Sequence, residues 1–145
     1  MTMIKRYKIL AKFVKDMSSE TPDIDTYLFV KDNIKNYSLH IDIKSKALKQ
    51  KIIQIETKLD YSDKSNSKKK SFFEMVYVTV IRLNEEISNK NDLGKIILCD
   101  VQNDVYPELE KTFLNVLHGS GFPDLAFNKK VDFEELYKKN QEAKN

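Results

Sequence analysis

Along four stretches of the chain, apolar and other positions alternate one for one. Tyr7, Ile9, Ala11 and Phe13 alternate with Lys8, Leu10, Lys12 and Val14. That period of two predicts a strand with one buried face. Leu39, Ile41 and Ile43 against His40, Asp42 and Lys44 predict a second strand. Ile53, Ile55, Thr57, Leu59 and Tyr61, with Gln54, Glu56, Lys58 and Asp60 opposite, predict a third. The connection from Lys46 to Lys51 is too short for a helical crossover, so the second and third strands should pair antiparallel.

The fourth stretch, Phe72 to Leu83, is apolar on both faces. One face carries Phe73, Met75, Tyr77, Thr79, Ile81 and Leu83. The other carries Phe72, Glu74, Val76, Val78, Val80 and Arg82. A solvated face should not hold three successive valines, so that face needs a cover or a partner. Tyr27-Leu28-Phe29-Val30 is a short apolar run with no clear period, readable as an edge strand or a packed loop.

From Leu93 the period lengthens. Asp104 is a plausible N-cap and Pro107 fits a first helical turn. Tyr106, Leu109, Phe113, Val116 and Leu117 then form a helical stripe. Gly119 or Gly121 can take the positive φ that ends such a helix, and Phe122-Pro123 forces an extended exit. Asp132 with Glu135 reads as a capping box for a last helix, with Phe133, Leu136 and Tyr137 on one side. Strands followed by helices give an α+β fold: a four-stranded antiparallel sheet followed by two C-terminal helices, one domain over residues 1–145.

Charge and composition narrow the function more than they define it. The chain carries a formal charge of +3, with much of the basic excess at its N-terminus and in Lys68-Lys69-Lys70. A charge run among serines is usually a solvated loop. Nothing approaches the apolar run of a membrane helix, so no membrane insertion is expected. Lysines and an arginine interrupt the first thirteen residues, unlike a signal peptide. Cys99 has no cysteine to pair with, which favours a reducing cytoplasm.

His40, His118 and Cys99 lack metal-ligand or nucleophile spacing, and there is no phosphate loop. An enzyme, a metal or a cofactor is therefore not expected. A nucleic-acid or anionic-surface binder is the rival from another class, resting on the lysine run and the basic N-terminus.

Three motifs, in order, carry a resemblance. They are Lys15-Asp16-Met17-Ser18-Ser19-Glu20-Thr21-Pro22, Phe72-Phe73-Glu74-Met75-Val76-Tyr77, and Gly121-Phe122-Pro123 running to Val131-Asp132-Phe133-Glu134-Glu135-Leu136-Tyr137. Together they resemble the SecB family of protein-export chaperones over roughly Tyr7 to Asn140. The resemblance implies a cytoplasmic homotetramer, a dimer of dimers, that binds unfolded precursor proteins without nucleotide or metal and delivers them to the motor ATPase SecA. It maps SecA contacts onto Asp16, Glu20, Phe72 and Glu74.

Departures exist. Val78, Thr79 and Val80 stand where the family usually has a glycine, and Lys130 replaces the proline before the last helix. They leave room for a SecB-like chaperone dedicated to another client, such as an antitoxin.

The residues themselves point to binding. Leu125, Phe127, Phe133 and Tyr137 are readable as core closure or as an apolar groove for extended client segments. Tyr106, Leu109, Phe113 and Val116 are expected in or under a subunit contact.

Overall fold

The computed structural model describes residues 5–144, with side chains described through Lys139. Four strands, β1 (Tyr7–Glu20), β2 (Ser38–Ala47), β3 (Ile52–Ser62) and β4 (Phe72–Leu83), form one antiparallel sheet in the order β1-β4-β3-β2. A short helix, α1 (Ile24–Asp32), follows β1. After the sheet come α2 (Lys90–Lys95), a π turn over Ile96–Asp100, α3 (Val101–Gly119) and α4 (Phe133–Lys144). The expected α+β architecture is present.

The periods explain the layers. On β3, Ile53, Ile55, Thr57, Leu59 and Tyr61 are all buried. Their β4 neighbours Phe73, Met75, Tyr77, Thr79, Ile81 and Leu83 are buried beside them. Antiparallel partners share a face, so these rows make one inner side, and the helices cover it. Two apolar clusters result.

One cluster gathers Ile53, Ile55, Ile81 and Leu83 under Ile96, Ile97, Val101 and Val105. The other gathers Leu59, Tyr61, Phe73, Met75 and Tyr77 under Tyr106, Leu109, Phe113 and Leu117. Buried Thr57, Thr79 and Gln102 belong to neither cluster. Thr57 Oγ1 donates to Gln102 Oε1 at 3.1 Å, and Gln102 Nε2 donates to the Ile97 carbonyl at 3.5 Å. The side-chain amide thus reaches back into the π turn.

Three expectations are corrected. Tyr27–Val30 is neither strand nor loop but the body of α1. Asp23 caps it, accepting from the Thr26 amide at 2.8 Å. Only Thr26 and Val30 are buried there, while Ile24, Leu28 and Phe29 face outward, so the apolar residues straddle the helix and hide its period.

Asp104 is not an N-cap, because the helical run begins at Lys90. Asn89 caps that end, accepting from the amides of Asn91 and Asp92. Pro107 therefore lies inside α3, where it cannot donate to the carbonyl a turn earlier. Asp104 instead accepts from the Tyr7 hydroxyl and pairs with Lys5 at 3.0 Å.

Finally, β1 does not bury one continuous face. Irregularities between Ile9 and Ala11 and between Val14 and Asp16 shift its register on β4. Each shift swaps which side chains point inward. Leu10, Phe13 and Val14 are left exposed at 40%, 50% and 39%.

Candidate functional site

The segment between α3 and α4 forms one wall of an open groove. Gly121 takes the helix-ending positive φ, at 110°. A Cβ there would meet the Tyr27 ring at 2.5 Å, so glycine is required on steric grounds as well. The Tyr27 hydroxyl donates to the Gly121 carbonyl at 2.7 Å and ties α1 to this turn. The chain does not leave fully extended but turns over Phe122–Leu125, the Leu125 amide donating to the Phe122 carbonyl at 3.2 Å. His118 Nε2–H donates to the Leu125 carbonyl at 2.7 Å and holds that turn. Asp132 starts α4 by accepting from the Glu135 amide at 3.1 Å, as its spacing predicts.

Against this wall stands β2, a free edge of the sheet. The space between them has a volume of about 570 Å³. Leu39, Ile41, Tyr61, Phe127, Val131 and Leu136 give it an apolar lining. A second hollow of about 460 Å³ continues past Ala126 and Asn128 to Leu125, Phe122, Ile34 and Lys31. Tyr61 packs on Phe127 at 5.3 Å between ring centres, and Phe127 stacks on the buried Phe113 at 6.3 Å. Burial raises the phenol pKa values of Tyr37 and Tyr61, so both stay neutral in the groove wall.

Of the expected groove residues, Leu125 and Phe127 line these hollows. Phe133 does not. It is buried edge-on against Tyr106, with ring centres 5.1 Å apart, and closes the core. Tyr137 turns away as well, donating to the Asn91 carbonyl at 2.9 Å. Spacing placed Leu136 on the apolar side of α4 with them. In the fold Leu136 is 43% exposed and faces the groove. Leu39 and Ile41 were legible as strand residues, but nothing local marked them as lining.

The other side of the sheet carries the acidic set. Register puts Asp16 beside Val76, Ser18 beside Glu74 and Glu20 beside Phe72, all on the outer face. Phe72 is 56% exposed. Glu74 pairs with Lys58 at 2.6 Å, and Asp60 lies next to it in register. Among the described residues no helix covers the valine face; Val78 is nonetheless buried, while Val76 and Val80 are half-buried.

Tyr106, Leu109 and Phe113 are buried inside this chain and Val116 is half-buried. The first three can lie under a subunit contact but do not form its surface. Among the described residues no group of acidic, histidine or cysteine side chains has metal-binding geometry, and no helix is long and apolar enough to cross a membrane. Buried Cys99 has its thiol pKa raised by burial.

Of the lysine run, Lys68 and Lys69 are exposed and Lys70 is tied to its own loop. Lys70 donates to the Ser65 carbonyl at 2.6 Å, and Asp63 accepts from the Ser65 amide.

The model of the family described as "Preprotein translocase subunit SecB" matches residues 2–144. A putative protein-export protein SecB of Pelagibacter ubique is 52% identical over 136 residues, which cover 94% of this chain and 97% of that protein. A protein-export protein SecB of a Bradyrhizobium species is 25% identical, over 92% of this chain and 81% of its own length. Among solved structures, a SecB-like chaperone of Mycobacterium tuberculosis in complex with an antitoxin peptide shares the fold. Its TM-score is 0.63 at 10% identity, over 87% of this chain and 91% of that one. The chain belongs to the SecB family of protein-export chaperones, which are not enzymes.

Proposed function

We propose that this chain holds extended apolar segments of unfolded precursor proteins in the groove along β2 and delivers them to the motor ATPase SecA in the cytoplasm. The observation that carries the reading is the groove's composition. Its apolar lining lies beside a free strand edge. An extended segment can add its backbone to that edge and set alternate side chains into the lining. Neither contact reads sequence closely, which suits many clients. A folded client has no such segment to offer.

Delivery would use the outer face, where Asp16, Glu20, Phe72 and Glu74 lie together. Carboxylates on a flat sheet attract a basic partner and raise its on-rate. Assembly would be a homotetramer. The exposed Leu10, Phe13 and Val14 on edge strand β1 are apolar surface that a second copy would cover.

The test dilutes a slow-folding client from denaturant with and without the protein. Retarded refolding is expected, and Phe127→Ser with Leu136→Ser should relieve it, because both line the groove. Phe133→Ser is unsuitable because Phe133 is core. No retardation for any of several clients removes the reading. A charge reversal of Asp16, Glu20 and Glu74 that leaves SecA affinity and its salt dependence unchanged removes the delivery step alone.

A further inference from the structure

The outer sheet face is divided by charge along its strands. One end holds Asp16, Glu20, Asp42, Asp60 and Glu74. In the middle, Lys15 pairs with Glu56 and Lys58 with Glu74, each at 2.6 Å, while Lys44, opposite Glu56 in register, is exposed and in no ion pair among the described residues. The other end holds Lys8 beside Arg82, and Lys46 two strands away from Val80 in the next row. The β2–β3 turn adds Lys49 and Lys51. All five are exposed, and none is in an ion pair among the described residues. The acids near this end are Glu85, paired with Arg6 at 3.2 Å, Glu86 in the loop after β4, and, on the helix side of the sheet, Asp100 and Asp104, the latter paired with Lys5 at 3.0 Å.

Two further features single out the turn. Leu48 stands among these lysines and is 45% exposed. Gln50 and Lys51 both take positive φ, 55° and 66°, and the Ile52 amide donates to the Lys49 carbonyl at 3.1 Å. That is the geometry of a type I′ hairpin turn, for which Asn-Gly is the low-energy choice. A lysine held in the left-handed region costs stability. Strain of this kind points to a role for the side chain that bears it.

We propose that this cationic end of the sheet docks on an anionic lipid surface, with the lysines on the headgroups and Leu48 entering the interface. Basic side chains around an exposed apolar one match the two forces of peripheral membrane binding. A nucleic-acid face would gather aromatics for stacking. Here the exposed apolar side chain at the turn is leucine, and Phe13 lies two rows along the sheet, beside the Lys15–Glu56 pair. The turn is at the opposite end of β2 from the groove and across the sheet from β1. Client binding and a contact along β1 would both leave it open.

The experiment is co-sedimentation of the full chain with vesicles of phosphatidylcholine alone and of phosphatidylcholine mixed with phosphatidylglycerol. Binding is expected to the mixed vesicles only, weakening as salt rises. Each basic residue at an anionic surface contributes about fivefold, so Lys46→Ser, Lys49→Ser and Lys51→Ser together should lower affinity about 100-fold. Leu48→Ser should lower it about fivefold. Arginine at the three lysine positions should retain binding, and serine at Lys68, Lys69 and Lys70 should leave it unchanged.

Absence of binding to mixed vesicles overturns the proposal, as does full binding by the triple serine variant. Displacement by millimolar glycerol phosphate would mean a small-anion site instead. Tighter binding of a single-stranded oligonucleotide, lost in the same variant, would mean a nucleic-acid face. Retention of unfolded client by the triple variant is expected to be normal, so failure here is distinguishable from failure of the groove.

Discussion

Strands β3 and β4 present different worlds on their two sides. Toward the helices they show Ile55, Leu59, Met75 and Ile81, each at 0% exposure. Away from the helices the same strands show Glu56, Lys58, Glu74 and Arg82, with valines between them. Alternation along a strand produces both sides from one run of residues. The inner side is shaped by volume, because helices must close over it without voids. The outer side is shaped by charge and by what approaches it from outside. A substitution that costs stability on one side should alter association on the other.

The sharpest contrast is between two phenylalanines. Phe113→Ala on the inner side should cost about 3–5 kcal/mol, since its ring is wholly buried and a cavity would remain. Phe13→Ala on the outer side removes a half-exposed ring, and its effect on one chain should stay within about 0.5 kcal/mol. Urea unfolding of both variants checks this. If Phe13→Ala lowers the transition midpoint and makes it depend less on protein concentration than in the parent chain, the outer face is a subunit contact. Equal costs for both variants would break the comparison.

The polar seam is the exception within the inner side. Gln102→Ala should cost about 2 kcal/mol by leaving Thr57 Oγ1 without its partner in the core. Adding Thr57→Val should recover part of that loss, and the double-mutant cycle measures how much. A cycle that closes to zero would show that the two side chains act independently.

At the turn, Lys51→Gly should raise stability by about 1 kcal/mol, because glycine takes φ of 66° without strain. The same change should weaken any association made through the turn. Thermal unfolding separates the two effects.

The smallest effect concerns Asp100. Its carboxyl pKa is raised, first by burial and then by Asp104 and Glu134, against the pull of Lys95 and Arg6. The native state therefore holds its proton more tightly than the unfolded chain does. Stability from this group is present below the ordinary carboxylate pKa and declines as pH rises through the window above it. Asp100→Asn should flatten that decline, which unfolding curves across the weakly acidic range would reveal. The Asp100 carbonyl that accepts from Tyr7 is backbone and survives the change.

Much of this molecule follows from local pattern. The inward residues of β3 and β4 were legible because burial on one side of a pleated strand imposes a period of two. The glycine at 121, the Asp132 cap and the ordered motifs of the family were legible because they depend on a few neighbouring residues.

Other features needed the tertiary structure. α1 could not be read from periodicity, since its apolar residues face both ways and Asp23 alone marks its start. The helical run begins at Lys90 because Asn89 caps it and a π turn carries it into α3; the longer period from Leu93 was legible, but its continuity with α3 was not. Phe133 and Leu136 sit on one short helix, yet one meets Tyr106 and the other the groove. The lysines divide in the same way. Partners far along the chain decide which are neutralised, as Glu56 does for Lys15 and Glu108 for Lys12. Period and capping are properties of adjacent residues. Cover and charge balance depend on residues brought together by the fold, so a sequence can name the candidates for each role but only packing assigns them.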